Sequence, residues 1–569
     1  MATQEAHKPS SPTHSCPPRS REAHTVSSTD RNDLPKESSS TSLPPSDMEA
    51  STSSSSTEWK PQRQEYLIML TIAFISLVVA LDATILVSVL PTLAVDLHGY
   101  AEEAFWAGTS YLLTSAVFQP FIADLSDVFG RRQLLQASLV FFTAGSIICA
   151  RAGSFPVLLA GRCLQGIGGG GIITTGQVVF ADIVPLRQRA KWFALVLVAW
   201  ALGSVFGPLV GGLFVQHSTW RWCFYINLPF CGIGLILVHF FVRFQTDRSS
   251  LREKLVRVDW IGGFLFISSL TSFLMGISWA GIQFPWSSFR TITPIVVGTV
   301  GILLSLLWER YGARQPFLRR CLFYSSSAVA AYVCAFCQGL VLFLALYYVP
   351  FYFMAVHFAT ATKAGINIFP VTCFLLPSSA IVSVLITHLG RFRWALYLGW
   401  TITTLGSGLP ILMAVRGENI KTAEWVGIFV VFGLGNGIVL TSVNFAIQSI
   451  ARGEDCARAA SMYAFFRTLG MTIGVAVGGT VFQNMMSYKL EQLSQPTSIA
   501  QQAQSFITRL KTYSRDDPTR HDILEAYGYG FQGVFMVMTV ISAVGLLSSL
   551  VVRRHSMDKI LESKHRIQR

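Results

Sequence analysis

The hydrophobic residues of this chain fall into long, uninterrupted blocks. Between residues 64 and 555, apolar runs of about 20 residues alternate with short polar segments. A helix of about 20 apolar residues crosses the hydrocarbon core of a membrane, which is roughly 30 Å thick. We therefore predict fourteen membrane-spanning helices, near residues 66–91, 104–125, 134–152, 156–180, 192–215, 222–242, 260–282, 291–308, 324–348, 365–387, 394–415, 424–448, 460–482 and 531–551.

The polar segments divide the chain into five predicted regions. Residues 1–62 are rich in Ser, Thr and Pro and have almost no apolar clusters, which is typical of a disordered leader. This leader lacks the pattern of a cleavable signal peptide, so we expect the first span to act as the targeting signal. The other regions are an N-terminal six-helix half at 63–245, a linker with two extra spans at 246–322, a C-terminal six-helix half at 323–552 with a long outer loop at 483–530, and a tail at 553–569.

Basic residues are concentrated in every second loop. The positive-inside rule places these loops, and with them both termini, in the cytoplasm. We expect the plasma membrane, with the vacuolar membrane as the alternative. The net charge of +13 is spread over these loops and not along one polar face, so it does not indicate nucleic-acid binding. The basic loops contain Arg131 and Arg132; Arg187, Arg189 and Lys191; Arg243, Arg248, Arg252, Lys254 and Arg257; Arg310, Arg314, Arg319 and Arg320; Arg391 and Arg393; and Arg452 and Arg458.

Composition narrows the class of protein further. Only 13% of the residues are charged and 51% are hydrophobic, whereas soluble domains carry about 25% charged residues. Cys334 and Cys337 form a CxxC pair, but no second pair or histidine completes a metal site, so we interpret them as packing residues. No cofactor or metal is expected. The chain has no GxxxxGK[ST] loop, which disfavours ATP-driven pumping, and no catalytic constellation of an enzyme.

One glycine pattern occurs twice. Gly203, Gly207 and Gly211 lie on one face of the fifth span, with Pro208 and Gly212 beside them. The same spacing returns 267 positions later at Gly470, Gly474 and Gly478, without the proline. Small residues at this spacing let two membrane helices pack closely. The repeat predicts two related halves that run in the same direction, an arrangement found in transporters.

Several spaced motifs resemble those of the major facilitator superfamily, and in particular its fourteen-span drug:proton antiporter branch. The likeness covers roughly residues 64–555, and the Ser-rich leader is similar to that of fungal members that export toxins and other secondary metabolites. The motifs are the loop at 127–132, the fourth-span motif at 162–170, the antiporter motif at 203–212, the first-span motif at 81–91, and the segments at 220–229 and 465–470.

The resemblance implies a fold and a function. We expect an all-α major facilitator fold, in which two parallel six-helix halves and an inserted two-helix hairpin give 14 spans. The expected activity is proton-coupled export of an amphipathic drug, toxin or secondary metabolite by alternating access, with protons, the bilayer and the organic compound as partners of a monomer. Alternatives are a proton-coupled importer or siderophore transporter of the same fold, and a non-transporting membrane sensor.

Asp82 and Arg162 are candidate proton-coupling residues. Asp82 is the lone carboxylate deep in the first span, and ionisable groups at such depth usually face a cavity or a partner. Arg162 enters the fourth span from the outer side and lies in the same outer-half layer. The resemblance implies a central, cavity-facing role for this pair. The alternative is a structural hydrogen bond or ion pair between helices.

Asp127, Gly130, Arg131 and Arg132 form a short acid–base cluster at a helix end, and the resemblance implies an inner gate there. The alternative is a topological anchor of the positive-inside type. Arg467 lies about nine residues into its span from the cytoplasmic side, where an inner-gate or backbone-carbonyl contact is plausible. For the helix with Gly203, Gly207, Pro208, Gly211 and Gly212, the resemblance implies a flexible seam between the halves that opposes leak.

Overall fold

The computed structural model of the protein describes residues 59–86, 89–97, 101–244, 249–281, 283–514 and 516–557. Most of the predicted leader at 1–62 and of the tail at 553–569 lies outside the described residues. All of the helices belong to the compact unit Pro61–Arg569. They are α1 (Arg63–Ile85), α2 (Leu90–Asp96), α3 (Ala101–Phe129), α4 (Arg131–Ala150), α5 (Phe155–Ile183), α6 (Leu186–His217), α7 (Trp222–Tyr225), α8 (Asn227–Phe241), α9 (Leu251–Arg257), α10 (Trp260–Trp279), α11 (Phe289–Tyr311), α12 (Ser326–Ala355), α13 (Ala361–Asn367), α14 (Phe369–Leu389), α15 (Arg393–Gly408), α16 (Pro410–Arg416), α17 (Thr422–Ile450), α18 (Cys456–Gln492), α19 (Ser498–Gln501), α20 (Ala503–Leu510) and α21 (Pro518–Val551).

Fourteen segments of the described ranges are long and apolar enough to cross a membrane. Each one overlaps a predicted span, so the predicted all-α, fourteen-span fold is confirmed. In the same ranges no β-strand forms; one isolated bridge joins Ala280 and Phe284. The membrane-length segments are α1, α3, α4, α5, α6, α7 with α8, α10, α11, α12, α13 with α14, α15 with α16, α17, α18 and α21.

The helices pack into two bundles. In the N-terminal bundle, α1 packs against α6 and α8, and α5 packs against α3 and α4. In the C-terminal bundle, α12 packs against α18 and α21, and α17 packs against α14 and α15. The two bundles meet where α6 contacts α14 and where α18 contacts α3 and α5. The hairpin of α10 and α11 packs on itself, and α10 also contacts α3 and α18.

Local sequence signals explain where several of these helices begin. Asp259, Ser325 and Asp517 cap α10, α12 and α21, because each side-chain oxygen accepts a hydrogen bond from a backbone N–H of the first turn. Proline follows at the start of α14 and α21, where its missing N–H has no helical partner to lose. These caps fix the position of each helix along the bundle.

The repeated glycines make equivalent contacts in the two bundles. Gly203 and Gly207 of α6 lie against the backbone of α1, whereas Gly470 and Gly474 of α18 lie against the backbone of α12. A Cβ atom added to Gly203 would approach the carbonyl oxygen of α1 residue Leu77 to 2.8 Å, and one added to Gly474 would approach that of α12 residue Leu340 to the same 2.8 Å. Side chains larger than hydrogen would separate these helices. The sequence repeat is therefore also a repeat of packing.

The predicted outer loop at 483–530 is largely helical, and the helices that flank it extend into it. Helix α18 continues to Gln492, and α21 begins at Pro518. The extensions are amphipathic: Met486 and Leu490 of α18 and Tyr527 of α21 are buried in one apolar cluster with α12 and α20. Because this packing continues past the apolar run of each span, the helices do not end where the hydrophobic pattern does.

Candidate functional site

A cavity lies between the two bundles. Its walls come from α1, α5 and α6 on one side and from α12, α14, α17 and α18 on the other. The atom-free space in this cavity is ≈ 930 Å³. The walls are mostly aliphatic and aromatic, and the uncharged polar residues are Ser76, Thr84, Gln177, Ser204, Thr372 and Tyr463.

Arg467 is the one charged residue among the described residues that line this cavity. Its Nε donates a hydrogen bond to Oε1 of Gln338 at 3.0 Å, and its guanidinium lies 5.6 Å from the ring centroid of Trp200. Arg467 lies in the wall of this cavity, and its predicted inner-gate role stays a prediction. It lies nine residues beyond Arg458 on α18, which is roughly 14 Å of helix rise into the protein.

A buried polar cluster, which we call the Asp82 cluster, consists of Asp82, Arg162, Gln165 and Asn227. Nη1 of Arg162 donates to Oδ2 of Asp82 at 2.6 Å, and the two side chains are 1% and 0% exposed. The other carboxylate oxygen accepts from Nε2 of Gln165 at 3.1 Å and from Nδ2 of Asn227 at 2.7 Å. Buried charges need such pairing, because desolvation of an isolated charge is costly. The cluster joins α1, α5 and α8 inside the N-terminal bundle.

Arg162 has further partners that hold it in place. Its Nε donates to the backbone carbonyl of Ala107 at 2.8 Å, and Nη1 also donates to Oε1 of Gln165 at 2.7 Å. The guanidinium lies over the ring of Tyr111, 4.4 Å from the centroid. The guanidinium is thus held by polar and aromatic groups of α3 and α5 as well as by Asp82.

The residues of the Asp82 cluster do not line this cavity, and the predicted cavity-facing role of Asp82 and Arg162 stays a prediction. Thr84, two residues after Asp82 on α1, does line the cavity. Two residues are about 200° apart around a helix, so the side chain of Asp82 faces the bundle interior instead. Depth along the spans predicted that Asp82 and Arg162 lie in one layer, but Gln165 and Asn227 were not among the predicted site residues. Gln165 had a usable signal, since it lies three residues after Arg162 on the same helix face.

A second charged cluster lies where α3 ends and α18 begins. We call this end of the two bundles the basic end, and the other end the opposite end. Asp127 accepts from Nη1 of Arg131 at 2.5 Å and from Nη2 of Arg458 at 2.6 Å. Nε of Arg131 also pairs with Asp182 at 3.0 Å. Because Asp127 belongs to α3 and Arg458 to α18, this cluster ties the two bundles together. Arg458 and Asp182 were not among the predicted site residues.

Gly130 and Arg132 shape the same end without crossing between the bundles. Gly130 precedes α4 with φ 103° and ψ 148°, a backbone conformation essentially reserved for glycine. It turns the chain so that Asp127 and Arg131 face each other. Nη2 of Arg132 lies 3.0 Å from Nδ1 of His239 on α8, so this side chain stays within the N-terminal bundle.

Arg189 provides a second link at the basic end that sequence reasoning missed. Its guanidinium donates to the carbonyl oxygens of Ala181 at 2.7 Å and Val184 at 2.8 Å, at the end of α5. It also bonds to Oε1 of Gln448 on α17 and interacts with the thiol of Cys456 on α18. Both the Asp127–Arg458 pair and the Arg189–Gln448 bond must break if the bundles separate at this end.

At the opposite end, the glycine–proline helix contacts the C-terminal bundle. A Cβ atom added to Gly365 of α13 would lie 2.9 Å from Cβ of Pro208, and one added to Gly212 would lie 2.6 Å from Oγ1 of Thr362. Gln216 donates to Thr362 at 2.9 Å. Gly211 is also buried on this helix, while Gly203 and Gly207 face α1. The motif thus divides between packing inside one bundle and contact with the other.

Two helical bundles of membrane-length helices around a central cavity define an integral, multi-pass membrane protein of the transporter class. The family model described as Major Facilitator Superfamily matches residues 72–475. The chain belongs to this superfamily, whose members are transporters and not enzymes.

Individual known proteins extend this assignment. The chain is 41% identical over 502 residues to "MFS transporter L2" of a Phoma species, covering 86% of this chain and 82% of that one. It is 31% identical over 507 residues to "Efflux pump FUS6" of Gibberella moniliformis, covering 87% and 88% of the two chains. The crystal structure of the human organic anion transporter MFSD10 shares the fold, with a TM-score of 0.54 at 14% identity over 87% of this chain and all of that one.

Proposed function

We propose that this chain exports an amphipathic organic compound in exchange for protons by alternating access. The observation that carries the proposal is the mostly apolar cavity between two bundles that are tied at both ends. A site between two repeats that can rock against each other suits alternating access. The relatives named as efflux pumps support export over import.

The basic end is proposed to face the cytoplasm, with both termini on that side and the plasma membrane as the location. The support is the concentration of Arg and Lys in the loops of this end, as the positive-inside rule requires of cytoplasmic loops. In this orientation the Asp127–Arg458 pair and the Arg189–Gln448 bond close the cytoplasmic entrance. The proposal also includes the division of the chain into two six-helix halves at 63–245 and 323–552, with the two-helix hairpin inserted at 246–322.

Asp82 is the proposed proton-binding residue. It is fully buried and depends on Arg162 for compensation of its charge, so protonation would remove the ion pair between α1 and α5. Arg162 would keep the carbonyl of Ala107 and the amide of Gln165, and would then hold a net positive charge inside the bundle. Such a change in buried charge is large enough to favour a different packing of α1. The Asp82 cluster thus offers a way to link proton binding to helix movement without touching the cargo.

Export is tested in cells that produce the full chain, the Asp82→Asn variant or neither, at matched amounts of protein in the membrane. Small organic compounds inside and outside the cells are quantified by mass spectrometry, with the proton gradient intact and after a protonophore. We expect at least one compound to be depleted inside cells with the native chain only, and this difference to vanish without the gradient. Arg416→Gln, which removes an exposed ion pair with Glu424, serves as the control variant.

The proposal divides into parts that can fail separately. If no compound depends on the chain for its distribution, export is wrong. If a compound is depleted equally with and without the gradient, or equally by Asp82→Asn, then transport stands but proton coupling through Asp82 does not.

A further inference from the structure

The cavity contains a positive charge without a negative partner. The guanidinium of Arg467 makes one hydrogen bond, from Nε to Gln338, and one contact with the ring of Trp200. Within the described part of the chain, no Asp or Glu lines the cavity and no ion pair involves Arg467. The terminal Nη groups therefore have no acceptor among the described residues. Arg467 lines the space between the bundles.

This arrangement differs from that of the other buried arginines. Arg162 and Arg131 each pair with at least one carboxylate, and Arg189 donates to two backbone carbonyls and an amide. A charged side chain deep in a membrane protein is costly and usually marks a pathway for substrate or ions. Because the fold leaves the charge of Arg467 uncompensated where a cargo would lie, the missing partner is expected to come from the cargo.

A second unpartnered donor lies beside the guanidinium. Gln338 of α12 is 1% exposed, and its Oε1 accepts the hydrogen bond from Arg467. Its Nε2 has no hydrogen-bond partner among the described residues. A buried amide N–H without a hydrogen-bond acceptor is unfavourable, so a ligand that supplies an acceptor here would be stabilised. Two adjacent groups, both donors, fit a ligand that offers several acceptor oxygens.

The surroundings define the rest of such a ligand. Trp200, Phe193, Phe343 and Tyr463 contribute aromatic surface to the cavity in which Arg467 lies. A planar guanidinium binds carboxylate, sulfonate or phosphate oxygens through two parallel N–H groups. Aromatic walls favour a flat apolar body through their large contact area.

We infer that the cavity binds amphipathic organic anions, with the acidic group at Arg467 and Gln338 and the apolar body between the aromatic walls. This inference rests on the proposed function for the position of the cargo and names its chemical class. An organic anion is a different class of cargo from the lipophilic cations that a cavity lined by Asp or Glu would bind.

The test uses three probes with one apolar body: 1-pyrenebutyrate, 1-pyrenebutanol and 1-pyrenebutyltrimethylammonium. Binding to the full chain in lipid nanodiscs is measured by energy transfer from tryptophan to pyrene, with empty nanodiscs as the blank. Hydrogen bonds to a charged group correspond to about a 10- to 100-fold difference in affinity. We expect the native chain to bind the butyrate at least about 10-fold more tightly than the alcohol, and the ammonium most weakly.

Variants assign the preference to Arg467. Arg467→Gln should weaken binding of the butyrate by about 10-fold or more while binding of the alcohol changes less than about 2-fold. Arg467→Lys keeps the charge but cannot form two parallel bonds, so it should give an intermediate affinity and remains informative if the glutamine variant does not fold. Arg416→Gln removes an exposed arginine at the opposite end and should leave all three affinities unchanged.

The inference is overturned if the native chain binds the three probes equally or binds none of them, or if Arg467→Gln keeps the preference for the butyrate. The proposed function fails differently. If the native chain prefers the butyrate but vesicles containing it show no proton-dependent movement of that probe, the anion site stands and antiport does not. If vesicles move only the ammonium probe, and Arg467→Gln has no effect on this, antiport stands and the anion site does not.

Discussion

Replacing Asp127 by asparagine should open the basic end of the protein more often. The carboxylate is the only acceptor that Arg131 and Arg458 share in this cluster of described residues, at 2.5 Å and 2.6 Å. An asparagine side chain has the same size as the aspartate but carries no charge. Since Arg458 belongs to the other bundle, the Asp127→Asn variant weakens a link that exists only while this end is closed.

The magnitude follows from the exposure of the pair. The side chains of Asp127 and Arg458 are 17% and 21% exposed, so the pair lies between the surface and the interior. Exposed ion pairs contribute about 0.2–1 kcal/mol, and hydrogen bonds to charged groups about 1.5–3 kcal/mol. A loss of about 1.4 kcal/mol from the closed state corresponds to a tenfold larger open population.

Cys456 is a native reporter of this opening. Cys456 is 7% exposed, and its thiol donates to the carbonyl of Gln448 at 3.4 Å; the side chain of the same Gln448 accepts from Arg189 of the other bundle. The rate at which N-ethylmaleimide alkylates Cys456 can be followed by peptide mass spectrometry in the full chain. Because the thiol must become accessible first, the rate follows the open population, and Asp127→Asn should raise it about tenfold.

Two comparisons make the reasoning refutable. Glu424→Gln breaks an exposed ion pair at the opposite end and should leave the rate unchanged. In an Arg458→Gln background, Asp127→Asn should have clearly less effect than in the native chain, because the shared interaction is already gone. A rate that stays within about twofold of the native value, or an effect of Asp127→Asn that is the same in both backgrounds, would show that the pair does not hold this end closed.

Three other substitutions have defined outcomes. Asp82→Asn leaves Arg162 buried without its counter-charge, so the thermal midpoint of the purified protein should fall by the equivalent of about 3–5 kcal/mol, and Arg162→Gln in the same chain should restore part of it. Gly207→Leu must push α6 away from α1 and should abolish stable folding, as judged by size-exclusion chromatography, whereas Gly232→Leu, at a position with open space, should elute like the native protein. Gly130→Ala should cost about 1–3 kcal/mol in a denaturation assay because of its positive φ, and a native midpoint would show that the backbone can relax.

The hydrophobic pattern predicted the helices well because the membrane imposes a minimum length on each apolar run. It predicted their ends less well. The first predicted span, 66–91, is divided: α1 ends at Ile85, and a separate helix, α2, begins at Leu90 with Pro91 in its first turn, where the missing N–H has no helical partner to lose. The ends of α18 and α21 were missed for the opposite reason, since apolar packing extends both helices beyond the membrane-length runs.

The site was predictable only where its partners are close in sequence. Asp127 and Arg131 are four residues apart around one turn, so their proximity follows from spacing. The partner from the other bundle, Arg458, lies hundreds of positions away, and nothing in its own segment distinguishes it from a loop charge. Burial was equally hidden. Depth along its span gives the height of Asp82 and of Arg467 within the membrane. Which of the two side chains faces the cavity depends on the rotation of each helix about its own axis.

The two ends of the protein are closed by different kinds of contact. At the basic end the link between the bundles includes the charged pair Asp127–Arg458, whereas at the opposite end Gln216 and Thr362, both neutral, meet beside Pro208 and Gly212. Mobile ions weaken attraction between partly exposed charges but hardly affect neutral contacts. Under the proposed alternating access, ionic strength at the basic end would act on one opening and not on the other, so the solution that bathes this end would help to set which way the cavity faces at rest.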